Sequence, residues 1–388
     1  MIDKEEIKIS LEDFPDDIYM LLEDDFRAEF FKTAWKINKS YRHLAGKIGV
    51  SNPVMLSWKR GKINFTNQDQ FCPIWAIKEI INHSKHSSEW KFDLDELQKH
   101  VRYIRAVHGR KISNIKLPIW DSVELREIIT HLLCDGYASN KKRMTSKYGL
   151  TSVEGVNEFK KELSIFGEMP ELEIREEHRP FPRSVMYILQ FPKVITKILT
   201  NRFNIDFSWD KGRIPDEFFD GNRKLLAAIV RAFFIDEGSI HDLSIKFSSK
   251  NLALLNDLKE ICLKLGYKTL PIQNGRSCYQ LSLSNKSFSD FYHDTISISP
   301  LPILRKQKRL ELGLLLLSKK YVHFDVESEI IRNLEKKPMT RPQLCELIVA
   351  RRNNICFHLD KLKQMNIIRL SKERAKGQGG GFIWELCR

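Results

Sequence analysis

Two segments of the chain carry a largely apolar run that ends in an acid followed by glycine. The first run ends in Asp135-Gly136 and the second, about one hundred residues later, ends in Glu237-Gly238. The composition of each run predicts a buried helix. Each helix would place a carboxylate at its C-terminal end, where the helix dipole is already negative. A divalent cation, Mg²⁺ (or Mn²⁺), is the expected compensation, because such ions prefer oxygen ligands.

The pattern that follows each acid is also repeated. Its order is an extended run, an amphipathic helix closed by glycine, a second extended run and a lysine. In the first copy these are residues 148–152, 153–166 with Gly167, 187–191 and Lys193. In the second copy they are residues 245–249, 252–265 with Gly266, 279–283 and Lys286. Such a repeat predicts a pseudo-twofold, single-chain pseudo-dimer, and hence a monomer.

On these residues the chain resembles the LAGLIDADG homing endonuclease family, over roughly residues 112–317. Asp135 and Glu237 fall on the family's metal-binding acid, and Gly136 and Gly238 on its final glycine. The resemblance implies an α+β core of two αββαβ-type repeats, whose saddle-shaped sheets lie over DNA and whose signature helices pack together. It also implies that these four residues hold the metal. A single apolar helix ending in Asp-Gly would equally fit an ordinary helix stop, but the internal repeat favours the family.

The resemblance assigns further roles. Lys193 and Lys286 match the family's basic residue, which would assist the attacking water or stabilise the transition state, although a solvated surface lysine is as common. The hydroxyls of residues 151–152 and 248–249 would either orient water or cap the next helix. The expected DNA contacts of the core are Lys141, Lys142, Arg143 and Lys246.

The segment 41–61 resembles a helix-turn-helix. Its Gly49 breaks a first helix, Ser51 can cap the second, and Val54 with Trp58 would continue the core. We expect an all-α domain over residues 31–110, with a structural helical hairpin as the alternative. The acidic segment 1–30 that precedes it would be either a disordered tail or a shield for the basic surface. The exposed face of the second helix would carry Asn52, Met55, Ser57, Lys59 and Arg60.

Residues 324–388 resemble a winged helix. Three stretches have helical spacing of apolar residues, and two extended runs flank the glycine-rich loop 377–381. Winged helices bind DNA or other proteins, and the local basic charge favours DNA. The residues expected on the recognition helix and the wing are Arg351, Arg352, Lys361, Lys363, Arg374 and Lys376.

Composition agrees with a polyanionic partner. The chain has 64 Lys and Arg against 50 Asp and Glu, a net charge of +14. Residues 1–30 hold 11 acidic and 3 basic side chains, so the remainder carries +22. Double-stranded DNA is the expected partner through counterion release, RNA is the less favoured alternative, and solubility alone also fits net charge.

The seven cysteines include no Cys-x-x-Cys pair, which argues against structural zinc and for a reducing compartment. The sequence has no apolar run of the roughly 20 residues that span a membrane, and the acidic N-terminus differs from a signal peptide. We therefore expect a cytoplasmic, nucleoid-associated protein without a membrane partner.

The expected order of domains is an acidic segment, a helix-turn-helix domain, repeat 1 at 111–220, repeat 2 at 221–320 and a winged helix at 324–388. The favoured function is a site-specific, metal-dependent endonuclease that cuts both DNA strands. The alternative is a non-cleaving DNA-binding transcriptional regulator derived from such an enzyme. A regulator is free to lose either acid, and this chain keeps both.

Overall fold

The structure is a computed structural model. It describes residues 7–62, 69–107, 109–138, 145–178, 185–275, 277–318, 325–348, 350, 352–374 and 382–387. The chain forms two compact units. The first contains Met1–Leu150, Val156–Arg175 and Ile188–Asp220, and the second contains Thr151–Gly155, Glu176–Tyr187 and Gly221–Arg388.

The N-terminal part of the chain combines helices with an antiparallel sheet. Its elements are β1 (Lys8–Ile9), β2 (Ile18–Leu22), α1 (Asp24–Asn38), α2 (Tyr41–Lys47), α3 (Asn52–Arg60), β3 (Cys72–Pro73), α4 (Ile74–Ser84), α5 (Leu94–Gln98), β4 (Val101–Ala106), β5 (Ile112–Ser113) and β6 (Ile119–Trp120). One sheet has the order β3-β2-β4-β5, and β1 pairs with β6.

The prediction of an all-α N-terminal domain is therefore wrong. Strand β2 lies within the acidic segment, and its residues Ile18, Met20, Leu21 and Leu22 are buried against the core of this sheet. The acids of the segment cluster outside this short apolar run, so the overall charge of residues 1–30 concealed a strand that the burial of apolar side chains stabilises. From residue 7 onward the segment is folded.

Helices α2 and α3 form the predicted pair, joined by a turn in which Gly49 has a φ of 74°. The predicted phase of α3 is wrong. Met55 is fully buried with Trp58, whereas Val54 is 38% exposed. The core-facing residues are three positions apart rather than four, and both spacings fit one face of a helix. Ser51 occupies the N-cap position without a side-chain capping bond.

The middle of the chain contains the same order of elements twice, αββαββα. The first copy consists of α6 (Val123–Cys134), β7 (Gly136–Tyr137), β8 (Ser146–Leu150), α7 (Val153–Glu162), β9 (Ile174–His178), β10 (Val185–Phe191) and α8 (Lys193–Phe203). The second copy consists of α9 (Arg223–Glu237), β11 (Gly238–His241), β12 (Ser244–Ser249), α10 (Leu252–Lys264), β13 (Gln273–Asn274), β14 (Tyr279–Ser282) and α11 (Phe288–Ile298). The internal repeat is thereby confirmed.

Each repeat has one strand and one helix more than the predicted αββαβ unit. The sheet orders are β7-β8-β10-β9 and β11-β12-β14-β13, so β9 and β13 are the edge strands that the sequence did not reveal. Both are largely exposed and polar. Edge strands of this kind lack the alternation of apolar residues from which a strand is predicted.

The two helices that end in acids are buried on every side. Residues 125–133 of α6 and residues 226–235 of α9 are all buried, including Arg126 and Arg231. Arg126 forms a bidentate ion pair with Asp121 and donates to the carbonyl oxygens of Phe218 and Asp220. Arg231 donates to the carbonyl oxygens of Ser299 and Pro300 and to the Ser299 hydroxyl. Such hydrogen bonds offset the cost of burying each charge.

The C-terminal part begins with α12 (Leu304–Ser318) and continues with α13 (Val326–Lys336), β15 (Met339–Thr340), α14 (Arg341–Leu347), α15 (Arg352–Gln364), β16 (Ile368–Arg374) and β17 (Phe382–Leu386). From α13 onward it forms a three-stranded antiparallel sheet of order β15-β17-β16 and three helices, which share one apolar core. Thr340 and Gln343 form a capping box at the start of α14. The three helices and two of the strands lie where the sequence predicted them. Within the described part of the chain, no helix is both long and apolar enough to cross a membrane.

Candidate metal centre and nucleic-acid surface

Each repeat places its acid at the C-terminal tip of its first helix. Asp135 caps α6, and its backbone N–H donates to the carbonyl oxygen of His131 at 3.0 Å. Glu237 is the last residue of α9, and the N–H of Gly238 donates to the carbonyl oxygen of Phe234. Both carboxylates are half-buried. The predicted position of both acids is confirmed by the helix ends.

The glycine after each acid is required by close packing. A Cβ on Gly136 would lie 2.5 Å from the Cα and carbonyl oxygen of Leu132. A Cβ on Gly238 would lie 2.2 Å from Phe234 Cδ2 and 2.5 Å from its carbonyl oxygen. The chain therefore leaves each helix directly into a strand by folding back over the last turn. Glycine is required at Gly238 for lack of space and not for its backbone conformation, because a φ of −88° is one that other residues adopt freely.

The second acid lies in surroundings that disfavour its charge. Burial, followed by the charge of Asp236, raises the pKa of Glu237 to about 7, while Lys306 and Lys250 act in the opposite direction. A carboxylate in such a place gains from a cation beside it. Carboxylate and backbone carbonyl oxygens are also the ligands that Mg²⁺ prefers, so the residues at this tip fit a divalent metal.

A cation that the sequence did not reveal is already present at the second tip. The Nζ of Lys306, in the first turn of α12, donates to the carbonyl oxygens of Phe234 at 2.7 Å and Ile235 at 2.8 Å. The same ammonium lies 5.2 Å from the centre of the Phe234 ring. Because Lys306 is 72 residues from Phe234 along the chain, no local pattern could have indicated the contact.

The two predicted catalytic lysines differ in their exposure to solvent. Lys193 opens α8, two residues after β10 ends, and lies half-buried in a cleft with Ala138, Thr196 and Lys197. Partial burial lowers the pKa of its ammonium. Ala138 follows Asp135 closely along the chain, and Asp17 of the N-terminal segment also lines the cleft. Lys286 lies in a short turn after β14 and is exposed.

The second sheet has one apolar and one polar face. Ile245 and Phe247 of β12 are fully buried, whereas Lys246, between them, is partly exposed. The cross-strand partners on the polar face are also polar, since Lys246 pairs with Ser239 and Ser282. Hydroxyl and ammonium groups of this kind can contact DNA bases and phosphates.

The first sheet carries a lysine at the same register, which the sequence did not reveal. Gly136 pairs with Tyr148 and Tyr137 with Lys147, just as Gly238 pairs with Phe247 and Ser239 with Lys246. Lys147 is therefore the counterpart of Lys246. Both are partly exposed. The equivalence of the two lysines is seen only when the strand registers of the two hairpins are aligned. The sequence alone does not show which residues pair.

A buried polar cluster lies on α6 and α7 of the first repeat. The carboxylates of Glu127, Glu158 and Glu162 bring oxygens within 4.8 Å of one another. The His131 ring is 1% exposed, with Nδ1 3.1 Å from the Tyr148 hydroxyl and Nε2 3.9 Å from a Glu162 oxygen. Such a set of ligand atoms could hold a cation. The cluster includes none of the predicted metal residues.

Ser152 and Ser249 each accept a hydrogen bond from a backbone N–H at the start of the following helix. Ser152 Oγ accepts from the N–H of Gly155 at 3.3 Å, and Ser249 Oγ accepts from the N–H of Asn251 at 3.1 Å. Asn251 in turn caps α10. These contacts support the alternative in which the hydroxyls serve the helix that follows.

The predicted DNA residues of the N-terminal module lie at or near the surface, except Met55. Asn52 is half-buried and Arg60 exposed. Lys59 lies over the Tyr41 ring at 4.9 Å. The guanidinium of Arg27 donates to the carbonyl oxygens of Lys59 and Arg60, both at 3.1 Å. This contact holds the C-terminal end of α3.

The C-terminal module contacts the second repeat at the start of α15. The backbone N–H of Arg352 donates to a carboxylate oxygen of Asp242, in the β11–β12 turn, at 2.9 Å. Arg305 of α12 pairs with Glu346 at 3.2 Å. Lys361 donates to Glu327 at 2.6 Å, and Arg374 ends β16. The predicted DNA residues Lys141, Lys142, Arg143, Arg351 and Lys376 lie outside the described residues.

The chain is similar to several solved structures and to one family model. No curated protein matches the chain. Among solved structures, the homing endonuclease I-WcaI bound to its DNA recognition sequence is 13% identical, with a TM-score of 0.38, over 48% of this chain and 85% of that one. I-DmoI in complex with DNA and Ca is 16% identical, with a TM-score of 0.34, over 47% and 94%. Full-length DUF199/WhiA from Thermatoga maritima is 14% identical, with a TM-score of 0.36, over 65% and 93%.

Since all three TM-scores are below 0.5, these similarities do not bear on function. The family model of the LAGLIDADG-like domain matches residues 224–296, from the second residue of α9 into α11. This match confirms the LAGLIDADG resemblance for the second repeat of the chain.

Proposed function

We propose that this protein is a site-specific DNA endonuclease that cuts both strands with a divalent metal. The observation that carries the proposal is the repeated tip: two equivalent helices each end in a half-buried acid, followed by a glycine that the fold requires. A carboxylate at a helix C-terminus is electrostatically unfavourable, because the helix end already carries partial negative charge, and a bound divalent cation would compensate for it at both tips.

In this mechanism Asp135 and Glu237 would each hold Mg²⁺ (or Mn²⁺) at its own helix tip, with the carbonyl oxygens of Gly136 and Gly238 as further candidate ligands. When bound, the metal lowers the pKa of a water ligand and offsets charge that develops on the phosphate. Lys193, half-buried with a lowered pKa, is suited to stabilise that charge or to orient the water. The exposed Lys286 serves as a phosphate contact.

The polar faces of the two sheets bind the DNA. Lys147 and Lys246 occupy the same register beside the two tips and contact backbone phosphates, while the hydroxyls around Lys246 contact base edges. The helix-turn-helix pair α2–α3 and the winged-helix module 324–388 lengthen the recognised site. The basic charge of the chain supports this proposal, since phosphate contacts dominate the affinity of DNA-binding proteins.

The second candidate is a DNA-binding regulator that does not cleave. The observation in its favour is Lys306, whose ammonium supplies positive charge at the second tip without a metal. In that case the carboxylate of Glu237 would be a structural partner of the lysine, and the acid would be retained for folding rather than for chemistry.

The test uses the full chain and a library of supercoiled plasmids that includes the sequence flanking its own gene. Cleavage is compared in Mg²⁺ and in EDTA for the wild type, Asp135→Asn and a matched control, Glu260→Gln, which removes an exposed acid from α10. We expect discrete Mg²⁺-dependent cuts by the wild type and the control, and none by Asp135→Asn. Selective binding without cleavage by all three proteins would contradict the endonuclease and favour the regulator.

A further inference from the structure

Helix α12 lies beyond the matched domain, which ends at residue 296. Its side chains nevertheless form hydrogen bonds to the backbone on both sides of the second acid. Lys306 donates to the carbonyl oxygens of Phe234 and Ile235, just before Glu237. Arg309 donates to the carbonyl oxygen of Ile240, just after it, at 3.2 Å. The two basic residues are three positions apart and therefore lie on one face of α12. We call this pair the basic bracket.

The position of the bracket is unfavourable for α12 itself. A helix N-terminus carries partial positive charge, yet the first two turns of α12 contain Arg305, Lys306, Lys308 and Arg309. Three of these reach acceptors on other elements, since Arg305 pairs with Glu346 and the bracket binds carbonyl oxygens around the tip. These cations therefore stabilise the elements that they contact and do not stabilise the N-terminus of α12.

At the C-terminal tip of α9, the bracket supplies hydrogen-bond donors to carbonyl groups at the end of the helix. In α9 the carbonyl oxygen of Phe234 also accepts from the N–H of Gly238. Carbonyl groups in the last turn of a helix are only partly satisfied by the helix itself and are stabilised by a cation. The ammonium of Lys306 fills this role, and it is also a charged neighbour of Glu237. Fixing the backbone on both sides of one residue limits where its side chain can lie, and small displacements of reacting groups reduce rates steeply.

We propose that Lys306 and Arg309 are positioning residues for the second acid: α12 holds the chain on both sides of Glu237 and places positive charge beside it. The inference rests on the proposed endonuclease function for its catalytic consequence, but the contact between the bracket and Glu237 can be tested without cleavage. Neither residue contacts the reacting phosphate in this assignment.

The cleavage test compares full-length Lys306→Met, Lys306→Arg and a matched control, Lys308→Met, which removes the same charge from an exposed position of α12. We expect Lys306→Met to lower the cleavage rate at saturating DNA by at least about tenfold. Its DNA affinity should stay within about threefold of that of Lys308→Met, since each variant loses one charge. Lys306→Arg should recover most of the rate. A Lys306→Met protein that cuts as fast as Lys308→Met would overturn the proposal.

A second measurement does not depend on activity. Unfolding equilibrium constants of the metal-free chain at pH 8 are compared for Lys306→Met, Glu237→Gln and the double variant. We expect the combined effect to differ from the product of the separate effects by at least about fivefold, as for residues in contact. An exact product would overturn the proposal. If the wild type binds DNA without cutting it, the endonuclease fails, and this cycle alone decides whether Lys306 acts on Glu237.

Discussion

The two repeats share their chemistry-bearing positions and differ in most of what surrounds them. Both have an acid at a helix tip, a glycine against the last turn and a lysine at the same register of the hairpin. Residues 111–220, however, contain 17 basic and 17 acidic side chains, whereas residues 221–320 contain 16 basic and 8 acidic ones. The first repeat is therefore neutral and the second carries +8.

The interiors of the two repeats also differ, since the second is packed with phenylalanines and the first contains buried polar side chains. The second repeat packs Phe234, Phe247 and Phe291 against one another. Around the corresponding strand of the first repeat, Tyr148 contacts His131, next to the cluster of buried glutamates. The tips remain alike although their surroundings have diverged, which indicates that the tips carry a shared task. If the protein binds DNA as proposed, the unequal charge predicts that the second repeat makes most of the phosphate contacts.

The largest expected effect tests the shared tips. Asp135→Asn and Glu237→Gln should each reduce cleavage by at least ~10²-fold, the size of losing one group that stabilises transition-state charge. DNA affinity should be retained, because neither acid attracts the backbone. The measurement is cleavage rate at saturating DNA beside a binding isotherm. Strong cleavage by one variant alone would show that the repeats do not share the chemistry.

The next effect concerns stability and the second tip. The raised pKa of Glu237, about 7 against an ordinary 4.5, means that the folded chain keeps a proton that the unfolded chain releases. Stability is therefore lost as the pH rises from 4.5 to 7, and the full cost is present above 7. Glu237→Gln should stabilise the metal-free protein by ~2 kcal/mol at pH 8, allowing for partial exposure.

At pH 5 most of that gain should disappear, because Glu237 is then protonated in the folded protein. Denaturant unfolding at the two pH values measures the difference, with the exposed Glu260→Gln as the control. An equal gain at both pH values would show that the substitution acts through packing rather than through charge.

A smaller effect is expected from the C-terminal module. Deleting residues 324–388 removes the contacts of Asp242 with Arg352 and of Arg305 with Glu346 but leaves α12 in place. DNA affinity should fall by about tenfold, with fewer phosphate contacts and a shallower salt dependence. Footprinting and salt titration measure both quantities. A folded truncation that no longer nicks DNA in Mg²⁺ would contradict a separate catalytic core.

The smallest effect compares the two register-matched lysines. Lys147→Ala and Lys246→Ala should each weaken binding uniformly across DNA sequences and reduce the magnitude of the salt slope by about one. If the charge imbalance governs binding, Lys246→Ala will cost more, because it removes charge from the basic repeat. A salt slope unchanged by either substitution would remove these sheet faces from the interface.

The sequence predicted those parts of the site whose causes are local. Asp135-Gly136 and Glu237-Gly238 were recognisable because a buried helix, its last residue and the glycine that follows it lie within one short segment. The three helices of the C-terminal module were predictable for the same reason, since the spacing of apolar residues lies within each segment. The repeat made these local patterns specific, since the same order of elements appears twice.

The parts that the sequence did not reveal depend on pairing or on distant residues. Strands β9 and β13 are exposed edges without apolar alternation. Lys147 becomes the counterpart of Lys246 only when the hairpin registers are known. Lys306 reaches Phe234 across 72 residues. The phase of α3 was wrong because Met55 and Val54 both lie within one helical turn of Trp58, and only packing selects between them.

The most direct test of the central claim is strand-resolved mapping of DNA ends at a site selected by the wild-type protein. The wild type, Asp135→Asn and Glu237→Gln are compared in Mg²⁺ at saturating DNA. We expect that the wild type cuts both strands at fixed positions and that each variant binds the same site with both strands intact. Cuts by either variant at the wild-type rate, or a wild type that binds this site and leaves both strands whole, would contradict the central claim.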